Sequence, residues 1–223
     1  MTRQRSLWRR FAPATMQYRE RNLDAWIRQP ANAWSNLAYV AVGLWLWMQP
    51  SIRESGVLTL IPLTAVLVGV GSFLYHASFS LLFQTVDLAA MYLFSCLFIT
   101  LDLWRLFSFS LPVFYGLYMS LFLVSLATFL WLRRRSGFLI FIGHVLIVIV
   151  LEVFNAWLGR GANDYRPFIW MLVVLVAGWL IWILDYKGLA FDPDNHLVQG
   201  HALWHVITSF CFILAYRYYS SLV

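Results

Sequence analysis

The chain has 223 residues, 61% hydrophobic and only 12% charged, with a mean hydropathy of +0.71. That composition excludes a soluble domain and places the protein in a bilayer. The net charge of +6 then reads as loop arginines that hold membrane topology and touch anionic lipid, not as a nucleic-acid surface.

The first thirty residues carry seven arginines and no apolar signal-peptide core, so the first spanning helix is expected to direct insertion. A spanning helix needs about twenty mostly apolar residues. Seven stretches qualify: 32–49, 57–76, 82–101, 111–132, 137–158, 166–185 and 199–220. Gln49-Pro50-Ser51 closes the first, and Asp102 to Arg105 closes the third. Arg133, Arg134 and Arg135 separate the fourth and fifth, and Gly159-Arg160-Gly161 closes the fifth. Lys187-Gly188 and Asp192-Pro193-Asp194-Asn195 fill the gap before the seventh. The loops are too short for a second domain. The sequence thus predicts an all-α, polytopic membrane protein, a single seven-transmembrane-helix domain over residues 1–223. An odd number of spans puts the termini on opposite faces. Eleven Lys and Arg fall on the N-terminal side and five on the other, which predicts a cytoplasmic N-terminus. Cys96 and Cys211 lie in apolar stretches and are expected as buried free thiols.

A helix in hydrocarbon rarely carries ionisable groups without a use for them. Ser72 and His76 lie at the end of the second stretch, Asp87 at the start of the third, and His201 and His205 at the start of the seventh. Odd stretches begin, and even ones end, on the N-terminal side, so these residues are expected near one membrane face. Ser72 and His76 are four residues apart, as are His201 and His205, so each pair shares a helix face. A catalytic zinc site takes three protein ligands and keeps one position open, and His76, His201 and His205 are the candidate ligands. Ala202 follows His201, so the His-Glu-x-x-His pattern with its built-in base is absent. Asp87 is then the expected base for a zinc-activated water. Ser72 is the expected donor to the oxyanion formed when a carbonyl is attacked.

The remaining polar residues have plainer readings. His144 has no partner at helical spacing and is read as structural, and His196 as solvated in a loop. Glu152 and Asn155 either line a substrate chamber or bond to another helix, the second being preferred. Asn32 is expected to cap the first stretch and Asn36 to support the metal site, with Ser35 open to either role. Trp204 either lines an acyl-chain pocket or faces lipid.

The run Gly71-Ser72-Phe73-Leu74-Tyr75-His76, then Asp87, then His201-Ala202-Leu203-Trp204-His205, resembles the alkaline ceramidases. These belong to a superfamily of seven-helix membrane hydrolases that includes the adiponectin and progestin receptors. Tyr18-Arg19-Glu20-Arg21-Asn22, followed by Asn32-Ala33-Trp34-Ser35-Asn36, is similar to the ceramidase N-terminal motif. The resemblance implies zinc on His76, His201 and His205, a water near Asp87 and Ser72, and a lipid pocket lined by Trp204. The implied reaction is hydrolysis of the ceramide amide to a sphingoid base and a fatty acid. Family members also bind calcium near the N-terminus, which would fall here to Glu20 and Asn22. Gln17 and Gln29 stand where the family has acids, and calcium affinity follows ligand charge, so the loss of two carboxylates counts against calcium regulation. Ceramidases with a lumenal site have the opposite charge bias, whereas the receptor branch offers a precedent for a cytoplasmic one.

The expectation is a zinc-dependent intramembrane lipid amidase acting on a membrane lipid, with no nucleic acid and no obligate protein partner. A hydrolase of another lipid ester or amide would use the same site. A receptor with structural zinc would close the metal with four protein ligands. A transporter would show broken helices in symmetric halves, and no such repeat is visible.

Overall fold

The computed structural model describes residues 7–132 and 137–222. Arg3, Arg5, Arg133, Arg134 and Arg135, which entered the charge count, lie outside the described residues. Within them the fold is all-α. A 3-10 turn (Leu7–Arg10) precedes nine helices: α1 (Pro30–Trp34), α2 (Leu37–Trp47), α3 (Pro50–Glu54), α4 (Leu60–Ser78), α5 (Leu81–Phe107), α6 (Leu111–Trp131), α7 (Gly137–Trp157), α8 (Arg166–Tyr186) and α9 (Gly200–Tyr219). Among the described residues β-pairing is limited to an isolated bridge between Pro13 and Ser80.

Helices α4 to α8, of 19 to 27 residues, are long and apolar enough to cross a membrane, and the chain is an integral membrane protein. Their outward faces are aliphatic: Leu123 and Val124 on α6, and Leu139, Val150 and Val153 on α7, are all exposed. Such a surface is tolerable against lipid and not against water.

Three features differ from the sequence expectation. The stretch 32–49 is not one helix but α1 and α2, broken at Ser35 and Asn36. Ser35 Oγ and Asn36 Nδ2 both donate to Asn32 O, at 3.0 and 2.7 Å, and such side-chain bonds compete with the helical ladder. The 11 residues of α2 rise about 16 Å, short of a bilayer core of about 30 Å. Helix α9 is long enough, yet it buries His201, His205, Thr208 and Ser209, which leaves it less apolar than α4 to α8. Finally, Asp102 and Arg105 do not end the third stretch, since α5 continues to Phe107. Arg105 pairs with Asp102 Oδ1 at 3.3 Å and with Glu152 of α7, so the guanidinium finds its counter-charges inside the protein and need not reach water. The turn comes at Ser108, with φ 51°.

The chain forms two compact units, Met1–Asp87 with Tyr165–Val223, and Leu88–Asp164. In the first, α2, α4 and α9 pack on one another, α8 lies along α9, and α1 touches α4 and α9. Close approach of α2 and α4 depends on Gly69, where a Cβ would come within 2.7 Å of Val40 Cγ2 and 3.0 Å of Asn36 O. In the second, Tyr92 and Tyr118 tie the helices by donating to Gly137 O and Leu93 O.

Candidate metal centre and its surroundings

His76 sits in the last turn of α4, and His201 and His205 in the first two turns of α9. All three are buried, and their nearest ring nitrogens lie within 4.8 Å of one another. The Nε2 atoms of His76 and His201 are 3.2 Å apart. Two nitrogens bound at 2.0–2.1 Å to one tetrahedral ion stand about 3.3–3.4 Å apart, so the separation suits a shared zinc.

The far side of each ring decides where its lone pair points. Gln29 Nε2 donates to Glu20 O at 3.0 Å, which fixes the amide orientation, because a carbonyl can only accept. Gln29 Oε1 then faces His76 Nδ1 at 2.8 Å and accepts a hydrogen bond from its N–H, so His76 turns an unprotonated Nε2 toward the cluster. Ser35 works in the same way. Its hydroxyl lies 3.0 Å from Asn32 O and 2.8 Å from His205 Nδ1; with its proton on Asn32 O it accepts from His205 Nδ1, which leaves Nε2 without a proton. His201 is held differently. Its Nδ1 is buried without a hydrogen-bond partner, and the ring stacks on Tyr18 with centroids 4.0 Å apart. Its backbone N–H donates to Asp185 Oδ2 of α8 at 2.8 Å. The neighbouring Gly200 permits that contact, since a Cβ there would fall 2.5 Å from Asp185 Cβ.

Ser72, one turn before His76, is the hydrogen-bonding side chain of Asp87, which lies in the first two turns of α5. Both are buried. Tyr18 links this pair to the imidazoles, because it stacks on His201 and feels the charge of Asp87. Burial first, and that carboxylate second, push the Tyr18 phenol well above its ordinary range, so it stays protonated. Asp87 is not in the metal-competent group, which among the described residues consists of the three histidines. That is the donor set of an open zinc site. Trp204 is buried against Gly178 and Trp182 of α8.

A calcium ion does not fit the N-terminal motif. Both oxygens of Glu20 accept backbone N–H groups, from Ala31 at 3.0 Å and Asn32 at 2.9 Å, and Oε1 also faces His196 Nδ1 at 3.0 Å. Gln17 is exposed, and Gln29 Oε1 is committed to His76. Asn22 Oδ1 is buried without a partner, but one amide oxygen is far from the six to eight ligands calcium takes.

Several smaller expectations change. His196 is not solvated but pairs with Glu20, its side chain 25% exposed. Asn32 does not cap the first helix, a task that falls to the Glu20 carboxylate. Ser35 and Gln29, not Asn36, hold the histidine rings. Glu152 bonds to another helix as preferred, its partner being Arg105. Gln29 and Asp185 were missed as supports. Their signal was that each is a polar side chain beside or inside an apolar stretch with no assigned partner.

A family model described as Ceramidase matches residues 23–223, which leaves Tyr18, Glu20 and Asn22 outside the match. No curated protein matches the chain. Buried, apolar helices that converge on three imidazoles, and a match over nine-tenths of the sequence, agree on one assignment. The chain belongs to the Ceramidase family of ceramidase-like amide hydrolases, whose substrates are lipids of the ceramide kind.

Proposed function

We propose that the protein is a zinc-dependent intramembrane lipid amidase that hydrolyses an N-acyl sphingoid amide to a fatty acid and a free amine. The observation that carries this reading is the buried convergence of His76, His201 and His205, which bring ring nitrogens within 4.8 Å of one another while Gln29 Oε1 and Ser35 Oγ engage Nδ1 of His76 and His205. His76, His201 and His205 would hold the ion. When bound there, zinc supplies Lewis acidity toward the amide carbonyl and lowers the pKa of water toward about 7.

The rest belongs to the protein's own side chains. Asp87 takes a proton from the attacking water and returns it to the leaving nitrogen, so the C–N bond breaks with the amine as a neutral product. Ser72 orients Asp87 in the resting site. Once Asp87 is protonated it accepts less well, and the Ser72 hydroxyl is released to the carbonyl oxygen as charge develops there. Trp204 forms part of the wall for the lipid chain, which enters from the bilayer. The separation of Asp87 from the metal-competent group supports catalysis over a closed structural ion.

Seven spans and a cytoplasmic N-terminus remain our reading of the charge pattern. The burial of Arg105, which removes one charge from the opposing side, supports the orientation alone. Metal analysis of the purified protein, together with fatty-acid release from ceramide and a panel of other N-acyl and ester lipids, tests the function. We expect near one zinc per chain and release from ceramide that is lost on zinc removal and regained on zinc addition. Release from esters alone would reassign the substrate. A metal-free protein with full turnover would end the zinc reading.

A further inference from the structure

The N-terminal segment is more than a lead-in to the helices. Glu20 is fully buried and its carboxylate gathers three donors: Ala31 N, Asn32 N and His196 Nδ1. His196 belongs to the loop between α8 and α9, five residues before His201. The same loop is tied to the segment twice more, by Arg21 N donating to Pro193 O at 2.9 Å and by the exposed Arg21–Asp194 pair at 2.7 Å. On its other side the segment reaches α4. Gln29 N and Arg28 N donate to His76 O and Ala77 O at 3.2 and 3.0 Å, and Gln29 Oε1 accepts from His76 Nδ1. One continuous hydrogen-bonded line therefore runs from His196 through Glu20 and Gln29 to a ring of the metal centre. It joins the loop that precedes α9 to the end of α4.

We propose that Glu20, Gln29 and His196 form a strap that positions His76 relative to His201 and His205, and that the His196 imidazole holds the place in which a cation would otherwise cross-link the segment. The proposal rests on the reading of these histidines as zinc ligands. Three arguments favour it. The ligands come from two helices far apart in sequence, so their spacing needs a link between the α4 end and the loop before α9. Glu20 is spent on backbone donors and one imidazole, which closes its own carboxylate to an ion. Each joint of the line has a fixed direction, from N–H donor to oxygen acceptor, so the strap specifies the His76 tautomer as well as its position. Glu20, Gln29 and His196 act through His76 and are positioning residues.

The test compares wild type with His196→Ala, His196→Gln and Gln29→Ala, all purified with zinc. Zinc affinity is measured by chelator competition and turnover by fatty-acid release from ceramide. We expect His196→Ala and Gln29→Ala to weaken zinc about 10–100-fold, as loss of a ligand's hydrogen-bond partner does elsewhere. His196→Gln, which keeps an N–H for Glu20, should recover most of the loss. At saturating zinc kcat should fall more than KM rises, because the lipid contacts are untouched. Millimolar calcium should leave wild-type turnover within about twofold, given a donor set this poor in oxygen. Equal zinc affinity in wild type and His196→Ala, no recovery with glutamine, or several-fold stimulation by calcium would overturn the strap while leaving the zinc site standing. A wild type without zinc would overturn the function instead.

Discussion

Two regions of this protein bury histidine among apolar helices, and they treat it in opposite ways. At His144, within Leu88–Asp164, both ring nitrogens are engaged: Ser95 Oγ lies 2.7 Å from Nδ1 and Ser125 Oγ 3.1 Å from Nε2. A neutral imidazole has one N–H and one lone pair, and two hydroxyls consume both. The ring is then a finished cross-link between α5, α6 and α7. At His76 and His205 Nδ1 is engaged by Gln29 Oε1 and Ser35 Oγ, and His76 Nε2 meets another imidazole nitrogen, His201 Nε2 at 3.2 Å. Burial is alike in the two regions. What separates the structural ring from the proposed ligands is whether the second nitrogen meets a hydroxyl or another imidazole.

The largest test of this contrast removes a ligand. His205→Ala should lose stoichiometric zinc, and fatty-acid release should fall to background, as seen by metal analysis and a ceramide assay on the same preparation. Asp87→Asn separates metal from proton transfer. It should keep zinc and lose about 10²–10⁴-fold in kcat, the usual worth of a general base. An Asp87→Asn protein that turns over normally would remove Asp87 from the mechanism without disturbing the metal.

The grouping of His76 with His201 and His205, and of Ser72 with Asp87, was legible in the sequence because these are ionisable or polar residues set in apolar helices at helical spacing. Alternation of helix direction was enough to put them at one end. Their supports were not legible. Gln29 and Ser35 act through single hydrogen bonds whose partners are 47 and 170 residues away, and no periodicity marks such a pair. Glu20 was visible as a carboxylate but not as the cap of α1, because the cap comes from outside the helix. The split of 32–49 was hidden for a related reason. Hydropathy sees Ser35 and Asn36 as minor polar residues and cannot see that they bond back to Asn32 O. At Asp102 the opposite error arises. A charged residue looks like a helix end until Arg105 is known to pair with it and with Glu152 of α7.

A subtler way to sharpen the contrast is to disturb a pinned Nδ1 while leaving the ligand in place. Ser35→Ala removes the acceptor for His205 Nδ1, so His205 can rotate and sample the other tautomer. Zinc affinity should drop about 10–100-fold in chelator competition, while saturating zinc restores most of the turnover. Unchanged affinity would mean that the ring is held by packing alone, by Tyr39 among others, whose centroid lies 6.2 Å away.

The smallest effect is expected at the other histidine. In His144→Leu the two hydroxyls lose the ring, but each has a carbonyl of its own helix to donate to, Met91 O at 3.0 Å from Ser95 Oγ and Leu121 O at 2.7 Å from Ser125 Oγ. No donor is stranded in hydrocarbon, so the cost should be about 0.5–2 kcal/mol, the range for an interhelical polar contact in a membrane. Thermal unfolding in detergent should show a modest shift, with zinc content and kcat unchanged. Loss of zinc in this variant would mean that His144 is coupled to the metal centre. A ring with both nitrogens satisfied would then be no guide to a structural role.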